Sequence, residues 1–108
     1  MIVKTIPDQL LTTIVQRLAL GLRPRRIFLF GSHASGKATE DSDIDLLVEI
    51  PHSSEPRHRR ASVAYGLLTG LAAPTEIIVL TSDEIERAKA VPVSWENTIL
   101  REGRLLYG

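Results

Sequence analysis

Apolar residues along this chain recur at the two spacings that distinguish amphipathic helices from buried strands. A repeat every three or four positions predicts four helices, over residues 7–22, 57–71, 82–90 and 94–103. Short apolar or alternating runs predict four strands, over residues 26–30, 43–50, 75–80 and 104–107. The resulting order, αβ(turn)βαβαα(β), predicts one α/β or α+β domain over residues 1–108, with a small mixed β-sheet flanked by helices.

The ends and faces of these elements can also be predicted. Gly21 and Pro24 are expected to close the first helix. Thr81 or Ser82 is expected to cap the helix predicted over residues 82–90. Residues 31–42 (GSHASGKATEDS) are expected to form a loop, with room for one helical turn after Gly31. The helix over 57–71 should bury one face, formed by Ala61, Ala64, Tyr65, Leu68 and Leu71.

Composition narrows the class of protein. Thirteen basic and thirteen acidic residues cancel, so extended nucleic-acid binding is not expected. The chain has no cysteine, which excludes disulfides and zinc–cysteine sites and fits a reducing cytoplasm, the expected location. Met1 to Gln9 does not have the apolar core of a signal peptide, and no apolar run is long enough to suggest a membrane span.

The loop after the first predicted strand partly matches a phosphate-binding P-loop. Gly31 to Lys37 (GSHASGK) fits the first seven positions of GxxxxGK[ST]. Ala38 stands where a serine or threonine hydroxyl should hold magnesium, and the turn-forming residues ATEDSD follow where a long helix should begin. A P-loop is therefore the weaker interpretation of this segment.

A second pattern uses a longer span, Gly31-Ser32, ten residues, then Asp43-Ile44-Asp45. On a strand, residues i and i+2 point to the same side about 6.5 Å apart, so the two aspartates should converge while Ile44 faces the core. Paired carboxylates repel each other and favour a bound cation, and oxygen ligands suit Mg²⁺. A lone DxD is commonly a solvated turn, but here the preceding glycine-serine turn offers backbone amides and a hydroxyl to phosphate.

This combination, within FGSHASGKATEDSDIDLLVE, resembles the minimal nucleotidyltransferases of the DNA polymerase beta-like superfamily, along nearly the whole chain. The resemblance implies the nucleotidyltransferase fold, with Gly31 and Ser32 binding the nucleotide phosphates. It implies that Asp43 and Asp45 ligate the metals and that a third carboxylate comes from the next strand. The family often has an arginine at the position of Ser35, for which Lys37 is a candidate replacement.

Glu76 is the predicted third carboxylate, because it is the acidic residue in the third strand. A strand-helix-strand crossover makes the second and third strands parallel, so their N-terminal ends should lie together. Glu76 should then stand beside Asp43 and Asp45. The family more often has aspartate there, and the alternative is an exposed glutamate at the end of a strand.

The resemblance implies transfer of AMP from ATP, with Mg²⁺, onto an acceptor hydroxyl with release of pyrophosphate. Such proteins are often encoded beside a small helical HEPN ribonuclease toxin and act as its antitoxin by attaching AMP to a tyrosine. Two alternatives stay open: an antitoxin that neutralises its partner by binding alone, and an adenylyltransferase for a small molecule.

Three further features have competing interpretations. Arg57 to Arg60 (RHRR) is either a solvated helix start or a contact for an acidic partner or RNA. His33 is either a phosphate donor or an exposed loop residue. Trp95 is expected to pack in the core or an interface rather than stack on a substrate.

Overall fold

The structure, a computed structural model, describes residues 5–108 as a mixed sheet flanked by helices. The helices are α1 (Asp8–Leu22), α2 (Ser32–Ser35), α3 (Arg57–Leu67), α4 (Ser82–Lys89) and α5 (Trp95–Glu102). The strands are β1 (Arg26–Phe30), β2 (Ile44–Ile50), β3 (Thr75–Thr81) and β4 (Arg104–Tyr107). The predicted fold class is confirmed. In the described part of the chain, no helix is long and apolar enough to cross a membrane.

The sheet has the strand order β3-β2-β1-β4. β1 runs antiparallel to both β2 and β4, whereas β2 and β3 are parallel. The parallel pair is the one joined through α3, as the predicted crossover requires. Its register pairs Asp45 with Glu76, and the β1–β2 register pairs Asp45 with Phe30. Three neighbouring strands therefore place Phe30, Asp45 and Glu76 in one row.

Helices cover both faces of this sheet. α1 and α3 pack on one face, where Leu18 and Ala64 join the even-numbered residues of β2, including Leu46. α4 and α5 pack on the other, where Ile85 and Ile99 meet Leu47, Leu80 and Phe28. β2 is consequently buried from both sides for most of its length. Asp45 belongs to the face that carries α4 and α5, at the N-terminal end of β2.

The first helix ends at Leu22, the last residue of the predicted range 7–22, but Gly21 does not close it. Gly21 lies inside α1, and Arg23 is the C-cap, in the left-handed conformation with φ 49°. A Cβ at Gly21 would overlap the side chain of Leu67, so the glycine permits close packing of α1 on α3 rather than closing the helix. The expectation that Gly21 and Pro24 close the helix is therefore wrong for Gly21, whereas Pro24 directly follows the C-cap.

α3 is shorter than the helix predicted over residues 57–71. α3 ends at Leu67, and the chain turns before reaching Leu71, with Gly70 at φ 89°. Tyr65, expected in the core, is 42% exposed, and its hydroxyl accepts a hydrogen bond of 2.9 Å from the backbone N–H of Ile77. That N–H lies on the outer edge of β3, so the tyrosine satisfies an edge-strand donor instead of filling the core.

The basic segment at the start of α3 is held by ion pairs. Arg60 Nη1 lies 2.5 Å from Glu84 Oε1 and also donates to the Val79 carbonyl at 3.2 Å. Arg57 Nε lies 3.3 Å from the second oxygen of Glu84, and Arg59 lies 3.9 Å from Glu55. The side chain of Arg60 is only 9% exposed. The cluster therefore secures α3 to the start of α4, an outcome that neither sequence interpretation anticipated.

Glu84 is the centre of that junction, and replacing it should destabilise the protein strongly. Burial alone would raise the pKa of Glu84, but hydrogen bonds from Thr81 and Arg60 outweigh it and lower the pKa from 4.5 to about 2. A lowered pKa stabilises the native state above the unfolded value of 4.5, and this contribution disappears as pH falls toward 2. Glu84→Gln should cost about 3 kcal/mol at pH 7 and much less below pH 3.

Urea unfolding at both pH values measures this difference. Glu86→Gln is the matched control, because Glu86 lies on the same helix and pairs only with exposed Lys89. The control should cost less than about 1 kcal/mol. Equal costs for the two variants, or a cost for Glu84→Gln that does not change with pH, would contradict this role.

Candidate functional site

The glycine-serine turn lies directly against one of the predicted catalytic carboxylates. Gly31 follows β1 with φ 72°, and Ser32 begins α2. A Cβ at Gly31 would overlap Oδ2 of Asp45, and any L side chain there would also be strained by the positive φ. Glycine is therefore required twice, for the backbone conformation and for the approach of Asp45.

Asp45 and Glu76 form a close carboxylate pair. They are direct partners across the parallel β2–β3 ladder, so their side chains leave adjacent strands on the same face of the sheet. Burial raises the pKa of Asp45, and the negative charges of Glu76 and then Asp43 raise it further, while His33 has the opposite effect. The native structure therefore holds an electrostatically unfavourable pair that protonation or a bound cation would relieve.

Asp43 is less closely associated with the pair. It lies just before β2, which begins at Ile44, and its side chain is exposed. Its charge acts on Asp45 but more weakly than that of Glu76. Within residues 5–108, the His, Asp and Glu side chains do not form any group of three that could hold a metal ion. Coordination by all three predicted ligands would require Asp43 to turn toward the other two.

The donor set at this site suits a divalent cation. Asp45, Glu76 and Asp43 supply only hard oxygen atoms, which Mg²⁺ prefers over nitrogen or sulfur. Such a cation would also remove the repulsion that raises the pKa of Asp45. Mg²⁺ commonly retains waters and substrate phosphates beside one or two protein carboxylates, so Asp45 and Glu76 are enough protein ligands for a Mg²⁺ site.

The residues predicted to bind phosphate are Gly31 and Ser32, at the start of α2. The backbone N–H groups of Ala34 and Ser35 each donate a hydrogen bond of 3.1 Å to the Gly31 carbonyl. The earlier amides of the turn precede the first intrahelical bond, and such N–H groups favour anions. Lys37 is exposed, and its backbone N–H donates to the Ser32 carbonyl at 2.9 Å.

The short helix distinguishes this turn from a P-loop. α2 has four residues and ends at Gly36, which has φ 76°. A P-loop would instead open a long helix that presents its serine or threonine to the metal. Ala38 is buried in this structure, so the position that should carry the hydroxyl faces the interior.

The structure shows the positions of His33 and Trp95, for which the sequence allowed more than one interpretation. His33 Nε2 lies 3.4 Å from the Ser42 carbonyl, on the loop that leads to Asp43. Trp95 is 47% exposed and lines a cavity next to Gly31, so of the two expected places, the core or an interface, the core is wrong and the interface stays a prediction. The sequence indicates that Trp95 and Ile99 share one face of α5, because they are four residues apart. Only the tertiary structure shows that this face borders a cavity beside Gly31.

Comparison with known proteins was consistent with this geometry. The family model for the nucleotidyltransferase domain matches residues 9–105. A candidate protein adenylyltransferase of Methanocaldococcus jannaschii is 31% identical over 87 residues, which cover 79% of this chain and 80% of that protein.

Two solved structures share the fold. A candidate nucleotidyltransferase from Sulfolobus solfataricus superimposes with a TM-score of 0.61 at 22% identity, covering 90% of this chain and 78% of the other. A chain from a toxin–antitoxin structure with AMP-PNP gives a TM-score of 0.64 at 21% identity, covering 91% and 73%. At these identities the two structures support the fold alone.

Proposed function

The chain belongs to the nucleotidyltransferase family, and from that premise we propose that it transfers AMP from ATP to a hydroxyl group of a partner protein. The observation that carries the proposal is the Asp45–Glu76 pair held against the Gly31 turn. Paired carboxylates beside a turn with free backbone amides support the proposal, because nucleotidyl transfer needs both a metal site and a phosphate-binding site.

In this reaction, the acceptor oxygen attacks the α-phosphorus of ATP. A new bond joins that oxygen to phosphorus, the bond to the bridging oxygen of the β-phosphate breaks, and pyrophosphate leaves. Gly31 and Ser32 bind the phosphates, and Glu76 accepts the proton of the attacking hydroxyl. The chain's own contribution is largely positioning, because three adjacent strands fix the relative places of these groups.

The proposed reaction includes Mg²⁺, held by Asp45 and Glu76 and joined by Asp43. A bound magnesium ion supplies charge neutralisation for the phosphates and lowers the barrier for attack by an oxygen nucleophile. Asp45 is the central ligand, because it lies between Gly31 on one side and Glu76 on the other.

The proposed partner is a small helical HEPN-type toxin, modified on a tyrosine hydroxyl, so that this chain acts as the antitoxin. The relative named for protein adenylyltransfer supports a protein acceptor, and one neighbour in fold comes from a toxin–antitoxin structure with AMP-PNP. The choice of a HEPN-type toxin and of its tyrosine rests on the family resemblance. Glu76 is exposed on edge strand β3, where a protein loop carrying a tyrosine has access.

Incubation with α-labelled ATP, Mg²⁺ and the protein encoded by the adjacent gene tests this proposal. We expect one or more AMP groups on the partner protein, located on tyrosine by mass spectrometry. The double variant Asp43→Asn with Asp45→Asn is the matched inactive control. Neutralisation of the partner without any mass change would overturn the transfer reaction and favour an antitoxin that acts by binding alone.

Lys37 should assist nucleotide binding without being essential to it. Its exposed side chain follows the glycine-serine turn and can contact one phosphate, whereas a P-loop lysine would be indispensable. Lys37→Ala should weaken ATP binding by about 1–2 kcal/mol, which isothermal titration calorimetry can measure. Lys89→Ala, an exposed lysine of α4, is the control and should bind ATP normally. Complete loss of binding in Lys37→Ala would instead support a P-loop.

A further inference from the structure

A cavity of about 460 Å³ adjoins the Gly31 turn, between α2 and α5. One wall is formed by Phe30, Gly31 and the residues Ala34 and Ser35 of α2. The volume lies within the range of sites for small organic ligands, about 300–1,000 Å³. We refer to this space as the α2–α5 cavity.

The opposite wall of the α2–α5 cavity is a single face of α5. Trp95, Thr98, Ile99 and Glu102 line it, at the i, i+3, i+4 and i+7 positions that share one side of a helix. Ile99 is buried and anchors this face to the core, while Trp95 at the first turn stays 47% exposed. The indole ring therefore projects from a helix that Ile99 anchors, and it has surface available for a ligand.

The α2–α5 cavity is continuous with the catalytic residues. Phe30 pairs with Asp45 across β1 and β2, and such partners point to the same face of a sheet. Gly31, which also lines the cavity, touches the Asp45 carboxylate. Adjacent strands lie about 4.8 Å apart, so a molecule of nucleotide length can reach from the cavity past Asp45 toward Glu76.

We propose that the α2–α5 cavity receives the nucleobase of the triphosphate substrate, with the base stacked on Trp95. The inference rests on the proposed function, since it is the triphosphate at Gly31 and Asp45 that directs the base into the cavity. A planar base suits the mostly apolar walls and the indole face.

The negative charge of Glu102 favours one orientation of the nucleotide, with the base in the cavity and the phosphates outside it. Glu102 lies at the cavity wall and repels phosphate, while its carboxylate can accept hydrogen bonds from a ribose hydroxyl or an exocyclic amine. The phosphates are favoured at the other end, near Ser32. The acceptor then approaches from the β3 side, where Glu76 is exposed, so the two substrates do not compete for space.

Trp95 provides a direct test, because it is the sole tryptophan of the chain. Its fluorescence should change when ATP with Mg²⁺ is added and stay unchanged with inorganic tripolyphosphate and Mg²⁺, which lacks a base. By calorimetry, Trp95→Ala should weaken ATP binding about 10-fold and leave tripolyphosphate binding unaltered, as loss of one base–aromatic stack requires. Trp95→Phe should recover most of the affinity.

Val93→Ala is the matched control, because Val93 is 91% exposed two positions earlier and does not line the cavity. Normal ATP affinity in Trp95→Ala, or an equal fluorescence response to tripolyphosphate, would overturn the base site while the proposed function stands. Failure of the wild-type protein to bind ATP by calorimetry would overturn both.

Discussion

Asp45→Asn is expected to reduce nucleotidyl transfer by about 1,000-fold or more while leaving the fold at least as stable as that of the wild type. Asp45 is the proposed central metal ligand and lies against Gly31, so its loss removes several kcal/mol of transition-state stabilisation. Asparagine retains the shape of the side chain but not its charge. The measurement is a transfer assay beside thermal unfolding of the same samples.

The stability half of this prediction follows from the pKa of Asp45. Burial and the charges of Glu76 and Asp43 raise that pKa, so ionisation of Asp45 costs the native state free energy. Protonated Asp45 contributes to the free energy of unfolding below its unfolded pKa of 3.8. This contribution is lost as the pH rises through the higher pKa that Asp45 has in the native state. Without added metal, Asp45→Asn should therefore melt at the same or a higher temperature than wild type at pH 7.

Asp41→Asn is the matched control, since Asp41 is an exposed carboxylate in the loop that leads to the site. It should transfer AMP at the wild-type rate. Transfer by Asp45→Asn at the wild-type rate would refute the metal-ligand role. A strongly lowered melting temperature would show instead that Asp45 supports the fold.

The sequence predicted the site best where local rules fixed the geometry. A strand-helix-strand connection is nearly always right-handed and makes its strands parallel, so the order of elements was enough to predict Glu76 beside Asp45. The glycine at 31 was expected from turn chemistry, and the fold adds the contact with Asp45 that a one-dimensional pattern cannot contain. The metal and phosphate roles of these residues stay predictions.

The features that the sequence did not predict depend on tertiary packing. Gly21 resembles a helix stop, but its lack of a side chain serves the contact with Leu67, 46 residues away in the chain. Arg60 resembles a solvated charge, but its partner Glu84 comes from a different helix. Trp95 resembles a core residue because the α5 pattern is amphipathic, although part of that face borders a cavity. In each case the deciding neighbour is remote in sequence.

Glu76→Gln is expected to retain ATP binding and to lose most transfer activity, by about 100- to 10,000-fold. In the proposed site, the phosphates are held by Gly31, Ser32 and a metal that Asp45 would still ligate, so ATP affinity should survive the loss of the charge at Glu76. The acceptor hydroxyl must lose its proton during attack, and glutamine cannot accept it. Glu76 lies directly opposite Asp45 on the neighbouring strand, so its carboxylate is beside the proposed metal ligand, where the acceptor is proposed to attack.

Glu76→Asp separates this role from a structural one. The shorter side chain keeps a carboxylate at the same strand position, so the variant should retain or exceed wild-type transfer. Rates and ATP affinities of both variants should be compared with those of Glu86→Gln, an exposed glutamate of α4. If Glu76→Gln transfers AMP as fast as wild type, Glu76 is an ordinary charge at a strand end, and Asp43 must turn inward to complete the site with Asp45.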